Sequence, residues 1–313
     1  MEKGELRINK LKPLISDLDS LPFPDRYTYP FRENLKKIGY APFLFSRGCP
    51  YLCSYCSNHA IAARYNLSSN SARYRSPESS IREIEETVDK FSFQKLDIGD
   101  DIFGLDKAWR EEFCKKYKKR IKIKFSCLLR ANLVDENFVR LLKNAGCYRI
   151  SIGIESGNEY IRNEVMNRKM SNKEIIEAFE IAHQYGLETN AINMIGTPGE
   201  SEDMIWDTIK INRQAKPTVT GVNIFYPYKG TKLGDHCFKK GLVNERLYND
   251  FSNERRETVL TYPETYRKKL TYYRENWETL VYPLDLKKRF LNLLRKTFVW
   301  QRLRALKKYV LSR

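Results

Sequence analysis

The chain has 313 residues, and a hydrophobic share of 42% is ample for the core of one large folded domain with appendages. A surplus of 56 Lys and Arg over 39 Asp and Glu, +17 in all, suits an acidic partner such as nucleic acid, anionic lipid or a phosphorylated substrate, without choosing among them. No apolar stretch reaches bilayer-spanning length, the Met1-Glu-Lys-Gly-Glu start lacks a signal-peptide core, and the seven cysteines form no disulfide frame, so a cytoplasmic globular protein is expected.

Residues 1–40 form no domain of their own. Leu14 to Arg26 is punctuated by prolines and reads as an extended, linker-like segment packed along a neighbour. A short apolar run, Phe43 to Phe45, then ends at Arg47-Gly48 and is followed by Cys49, Cys53 and Cys56 at C-x3-C-x2-C spacing. Three thiolates can hold a four-iron cluster by three corners and leave the fourth iron open to an exogenous ligand. A structural zinc site wants four closed ligands, and His59 stands near enough in sequence to supply the fourth. The triplet alone leaves both open, although no second Cys/His pair exists to complete the usual two-knuckle zinc module.

Downstream, apolar runs alternate with amphipathic segments in the pattern of repeated βα units and a parallel sheet. Ser76-Pro77-Glu78 supplies an N-cap, a first-turn proline and an early acid for a helix carrying Ile81, Ile84 and Val88. Lys95 to Gly99 is a second strand ending in Asp100-Asp101, and Trp109, Phe113 and Tyr117 mark the next helix. Ile121 to Cys127 is a third strand, followed by Arg130 and by a helix capped at Asp135 and stopped at Gly146. Tyr148 to Ile154 is a fourth, ending Gly153-Ile-Glu155-Ser-Gly157. Ser171 and Glu174 make a capping box ahead of the fifth, Glu188 to Ile195, which runs into Gly196-Thr-Pro-Gly-Glu200. A helix through Met204, Thr208 and Ile211 leads to a sixth strand, Val219 to Tyr226, ending Pro227-Tyr-Lys229-Gly-Thr231. In parallel sheets and barrels the functional loops lie at the carboxyl ends of the strands, so these six motifs should converge on one mouth.

The cysteine triplet, with aromatic Tyr55 just before its last member, resembles the signature of the radical S-adenosylmethionine superfamily, and the resemblance extends from about Ala41 to Cys237. It implies an α/β fold, a partial (βα)6 TIM-like barrel of parallel strands, with Cys49, Cys53 and Cys56 on a [4Fe-4S] cluster whose open iron is chelated by S-adenosylmethionine. It also implies reductive cleavage to a 5'-deoxyadenosyl radical that takes hydrogen from substrate. By position, Asp100 and Asp101 would meet the cofactor's amino group, and Glu155 its methionyl and ribosyl portions. Gly196, Thr197 and Gly199 would let backbone approach adenine. Arg130 could pair with the methionine carboxylate or a substrate acid. Either aspartate also reads as a helix cap, Arg130 as a solvated surface residue, and Gly196 to Gly199 as a simple turn.

Within the superfamily, Asp17 to Asp25 is similar to the segment that joins a cobalamin domain to the barrel in the cobalamin-binding class. Lys229-Gly-Thr is similar to that class's Pro-Gly-Thr. The expectation is therefore a barrel lacking its cobalamin domain; if methyl transfer is the reaction, a separate partner supplies cobalamin or the chain is a fragment of a longer cobalamin enzyme. Cys114, Cys127, Cys147 and Cys237 read as single core thiols, and with His183 and His236 they form no second cluster, which argues against a methylthiotransferase.

The resulting division is 1–40 linker-like segment, 41–240 radical core and 241–313 helical, basic extension. Tyr262, Tyr266, Tyr272, Tyr273 and Trp277 suggest a helix packed on the barrel. Leu286 to Arg313, with ten Lys and Arg and no acid, suggests a basic amphipathic helix able to lie on an anionic membrane. The function expected is hydrogen abstraction from an unidentified small-molecule or lipid-linked substrate, with flavodoxin or ferredoxin as electron donor. An RNA-modifying radical enzyme and a non-enzymatic zinc protein are the alternatives, the first weakened by the lack of an added RNA-binding domain.

Overall fold

A computed structural model describes residues 9–67 and 72–283. The basic helix expected over Leu286 to Arg313 lies outside them. A single turn, Leu18–Ser20, precedes α1 (Phe31–Ile38), a helix that the proline-rich reading of this stretch did not anticipate. It is held by burial of Phe31, whose ring meets Phe91 edge-on at 4.8 Å, and it stops where the Gly39 amide returns to the Leu35 carbonyl.

The strand β1 (Ala41–Phe43) ends two residues earlier than the apolar run suggested, because the amides of Phe45 and Ser46 turn to the Asp100 carboxylate instead of a neighbouring strand. A two-residue antiparallel pair, β2 (Ser46–Arg47) and β3 (Arg73–Tyr74), brackets the cysteine loop and α2 (Ser57–Arg64). Then come α3 (Pro77–Lys90), β4 (Lys95–Ile98), α4 (Lys107–Arg120), β5 (Lys124–Leu129), α5 (Glu136–Ala145), β6 (Cys147–Glu155) and α6 (Asn172–Gln184). The series closes with β7 (Glu188–Ile195), α7 (Glu202–Ala215), β8 (Val219–Ile224), α8 (Lys232–Lys239), α9 (Glu245–Tyr248) and α10 (Glu264–Val281). The third long strand starts three residues later than expected, since the Ile121 amide still caps α4 on the Tyr117 carbonyl.

The long strands form one six-stranded sheet in the order β1-β4-β5-β6-β7-β8, every neighbouring pair parallel. Helices enter from side-chain caps at Ser76, Asp106, Asp135, Ser171 and Ser201, as the sequence signals require. The result is a curled α/β half-barrel with surrounding helices, a partial TIM-like barrel.

An aromatic core fills the side between α4 and the sheet, where Trp109 stacks on Phe113 at 5.0 Å and Phe103 and Phe125 close around them. At the far edge, α10 buries Leu270, Tyr273, Trp277 and Val281 against Ile195, Ile205, Ile209 and Ile224, and the Trp277 indole donates to Thr220 Oγ1 at 3.0 Å. The aromatic tail helix is thus part of the core. Both sheet edges are irregular: β1 carries Pro42 at its centre, and the Ile224 amide at the end of β8 donates to the Arg255 carbonyl.

The N-terminal segment is tied to α3 and β1. Arg26 pairs with Glu83 at 2.9 Å and lies 4.6 Å over the Phe43 ring, while Arg75 donates to the carbonyls of Leu21 and Pro22. All three charged side chains are buried.

Candidate active site

The six strand ends converge as parallel packing demands, and the cysteine loop is clamped from four of them. After β4, Asp100 Oδ1 accepts from Phe45 N at 2.7 Å and Ser46 N at 3.0 Å, which fixes the chain leading to Cys49. Burial pushes the Asp100 carboxyl up, and its Oδ2 is enclosed without a partner among the described residues. Asp100 therefore serves the backbone of the cysteine loop. Asp101 is exposed beside it, and its charge adds to the upward shift of the Cys49 and Cys56 thiols.

After β5, the buried Arg130 guanidinium reaches Cys53 Sγ at 3.7 Å and stacks 4.0 Å over Tyr51. It is not a solvated surface residue. Burial and the nearby Arg168 lower its proton affinity, and its Nε has no partner among the described residues.

The strand β6 ends at Glu155 in a left-handed conformation, φ 64°, at a register shift against β7. The side chain, only 12% exposed, stands 3.7 Å from Arg168. Burial raises the Glu155 carboxyl, and Arg168 and the Tyr55 hydroxyl oppose that shift. Arg168 donates to the Tyr55 hydroxyl at 2.9 Å and to the Gly153 carbonyl at 2.8 Å, and its Nε too is buried and unpartnered among the described residues. A Cβ on Gly153 would fall 2.7 Å from Glu155 Oε1 and 3.1 Å from Arg168 Nη2, so only glycine leaves room for this pair.

Arg168 was not singled out from sequence. Its loop docks directly on the cysteine loop: Ser54 donates through N and Oγ to the carbonyls of Met166 and Val165, and Asn167 Nδ2 donates to the Leu52 carbonyl. Asn167 and Lys169, flanking Arg168, both take positive φ. The Ser54 carbonyl is in turn satisfied by the Leu233 amide at the start of α8. A fully buried Arg162 braces the same loop from inside through the carbonyls of Ser156 and Met170.

The loop after β7 is organised by Glu200, also missed as a site residue. Its Oε2 accepts from Gly196 N at 2.5 Å and Thr197 N at 3.1 Å, and burial pushes its carboxyl up to about 7. A Cβ on Gly196 would meet Leu270 of α10 at 3.0 Å, whereas one on Gly199 would meet nothing within 4 Å. Gly196 thus faces packed side chains and Gly199 faces open space. Tyr262 and Tyr266 donate to the carbonyls of Thr197 and Glu200 and tie this loop to the tail helix.

Among the described residues the three loop cysteines form no disulfide, and burial pushes the Cys49 thiol up to about 11. Among the described residues, no three His, Cys, Asp or Glu side chains are gathered as the ligands of a single metal ion. An iron-sulfur cube meets each thiolate at a separate iron. The two arginines suit that group: their guanidiniums lie beside a loop whose thiolates would be negative, and the Nε of each has no acceptor among the described residues.

Residues 43–211 match the model of the Radical SAM superfamily. An uncharacterised methyltransferase of Pyrococcus horikoshii is 25% identical over 245 residues, covering 77% of this chain and 52% of that protein. The anaerobic magnesium-protoporphyrin IX monomethyl ester cyclase of Rubrivivax gelatinosus is 24% identical over 245 residues, covering 74% of this chain and 41% of its own. The chain thus spans about half the length of these relatives or less. The same fold is seen in the methyltransferase TsrM of Kitasatospora setae with cobalamin and a [4Fe-4S] cluster bound (TM-score 0.56, 18% identity, 64% of this chain and 37% of that one). It is seen also in the cobalamin-dependent enzyme OxsB (TM-score 0.57, 18% identity, 84% and 37%). With the match running from the end of β1 through most of α7 and the cysteine loop near its start, the chain belongs to the radical S-adenosylmethionine superfamily, whose members work with a [4Fe-4S] cluster and S-adenosylmethionine.

Proposed function

We propose that this chain is a radical S-adenosylmethionine enzyme, an oxidoreductase or transferase, in which Cys49, Cys53 and Cys56 hold the cluster and the mouth above them takes a small-molecule substrate. The observation that carries this is the pairing of one three-thiol loop with two buried guanidiniums, Arg130 on Cys53 and Arg168 on Tyr55. When bound, cluster and S-adenosylmethionine supply a one-electron reductive cleavage that ends in hydrogen abstraction from substrate; a flavodoxin or ferredoxin provides the electron.

The chain's own residues orient and insulate. Arg130, beside Cys53, is the residue for the methionine carboxylate or a substrate acid, and Arg168, whose terminal nitrogens are engaged by Tyr55 and Gly153, adds positive charge nearby. Glu155 and the exposed Asp101 are the acceptors for an ammonium group, with Glu155 held in place by Arg168 and Tyr55. Gly199, open on its Cβ side, leaves space for a planar base. Asp100, Ser54 and Asn167 hold the loop still. The core spans 41–240, with Arg26 tying the preceding segment to Glu83 and α10 packed at its far edge.

The test is anaerobic cluster reconstitution, then reductant and S-adenosylmethionine, with an assay for 5'-deoxyadenosine beside a Cys53→Ala control. Product lost in the control supports the reading; iron-free protein carrying zinc instead would defeat it.

A second reading, favoured by the methyltransferases among the relatives, makes this the barrel of a cobalamin-dependent radical methyltransferase, with cobalamin held outside the barrel. Dependence of product formation on added cobalamin protein separates it from the first.

A further inference from the structure

Helices cover one face of the sheet, so side chains pointing the other way line the inside of the curl. On β6 to β8 this lining is largely polar. Ser151, Asn190 and Asn223 are half-buried or exposed, while Ile150, Ile152, Ala191 and Ile224, pointing outward between them, are buried. Ser151 and Asn190 are register partners, and Asn190 Nδ2 donates to Ser151 Oγ at 3.2 Å. Ile192 and Met194 are the apolar members of the same face. This half of the lumen offers hydrogen bonds to a polar molecule.

The cations around the mouth differ in what they have left to give. Arg130 stands on Cys53, and the terminal nitrogens of Arg168 are engaged by Tyr55 and Gly153. Lys229 lies over the rings of Phe238 and Tyr248, at 4.8 and 5.6 Å. Arg255 is exposed, its Nε donates to the Tyr228 hydroxyl at 3.1 Å, and its two terminal nitrogens have no partner among the described residues.

Most exposed arginines are simply solvated and wander between rotamers. Arg255 is held at both ends. The Ile224 amide at the carboxyl end of β8 donates to its carbonyl at 2.9 Å, and its φ of 61° is one that a side-chain-bearing residue adopts only under constraint. At the other end, the Tyr228 hydroxyl that receives Nε is itself bonded to the Glu254 carboxylate. Burial raises the Glu155 carboxyl, and the charges of Arg168, Arg255 and Arg130 all oppose that rise, so Arg255 acts on the same corner of the mouth as the two arginines of the cysteine loop. Tyr228 and Arg255 both lie beyond residues 43–211, the part matched to the superfamily, so the pair belongs to this chain's own choice of substrate.

We propose that Arg255, positioned by Tyr228, binds the oxyanion of a polar small-molecule substrate, a carboxylate or a phosphoryl group, lying in the lumen over Ser151, Asn190 and Asn223. This rests on the radical S-adenosylmethionine reading and names its substrate class. With Nε given to Tyr228, the edge formed by the two terminal nitrogens stays free, and that edge matches two oxygens of one anion. The methionine carboxylate and the substrate anion then have separate guanidiniums, Arg130 and Arg255.

The experiment titrates malonate and inorganic phosphate into reconstituted protein with S-adenosylmethionine bound and no reductant, at ionic strength held constant with chloride, followed by calorimetry. Wild type is expected to bind at least one of them at a single site, malonate marking a carboxylate substrate and phosphate a phosphorylated one. Arg255→Gln weakens that binding about tenfold or more, Arg255→Lys keeps part of it, and Tyr228→Phe weakens it about threefold. Arg140→Gln, which removes an exposed arginine of α5, leaves it unchanged. Equal melting temperatures without anion show that the variants are folded. The two readings fail apart: a chain that takes zinc and no iron defeats the enzyme, whereas an intact cluster with anion binding absent, or indifferent to Arg255→Gln, overturns the substrate site.

Discussion

Arg168 Nη1 donates to the Tyr55 hydroxyl at 2.9 Å, so the residue next to Cys56 is held by a loop 113 positions away that also carries the only counter-cation in ion-pair reach of Glu155 among the described residues. Removing one partner of such a buried pair leaves the other uncompensated. Arg168→Met is expected to destabilise the protein by roughly 3–5 kcal/mol, and Tyr55→Phe by only about 1 kcal/mol. Combining Arg168→Met with Glu155→Gln should recover part of the loss. Anaerobic urea unfolding measures all three; wild-type stability in Arg168→Met would remove the clamp from the account.

Glu200 gives stability a pH dependence. Its folded pKa, about 7, lies above the ordinary 4.5, so between these values the folded state binds more protons than the unfolded chain. Stability contributed at low pH is lost as pH rises through that window, by up to about 3 kcal/mol. Glu200→Gln keeps an acceptor for the Gly196 and Thr197 amides without the charge, and should flatten unfolding free energy against pH in that range. A slope unchanged in the variant assigns the dependence to another group.

Two glycines should respond oppositely to alanine. A Cβ at Gly157 would stand 2.2 Å from the Asp207 carbonyl oxygen of α7, a backbone atom that cannot swing aside. Gly157→Ala is expected to cost about 3 kcal/mol or more. Gly221, in β8, has nothing within 4 Å of its added Cβ, and Gly221→Ala should be neutral or stabilise by up to about 1 kcal/mol. Thermal melting of the pair distinguishes close approach from mere glycine content.

Glu83 sits between two buried arginines, 2.9 Å from Arg26 and 3.8 Å from Arg75. Glu83→Ala leaves both cations without their shared carboxylate and should destabilise by roughly 3–5 kcal/mol. Because Arg26 and the Leu21 and Pro22 carbonyls moor the N-terminal segment here, limited proteolysis should cut residues 18–30 sooner in the variant. Equal cleavage rates would show that the segment is held elsewhere.

The barrel was legible because the βα units carry local signals: caps at Ser76, Asp135 and Ser171, and apolar runs between them. The cysteine loop was legible because its spacing is itself the chemistry. Arg168 was not, because Asn167-Arg-Lys169 reads as a solvated turn, and only the positive φ on either side aims its guanidinium inward. Glu200 was hidden because its acceptors are backbone amides, which carry no sequence identity. Asp100 and Asp101 were read as a pair, yet burial separates them: one is enclosed beneath the cysteine loop and the other stands in solvent. Helix α1 escaped notice because its one buried anchor, Phe31, follows directly on a proline.

Among the described residues the sheet stops at six strands and keeps two unpaired rims, and bare rims recruit strands from other molecules. Here Pro42 removes the central amide donor from a first strand only three residues long, while the last strand lies against α10 and surrenders its terminal amide to Arg255. The barrel can therefore stay open at its side without offering a template for aggregation, and a substitution such as Pro42→Val would restore that template at the first rim.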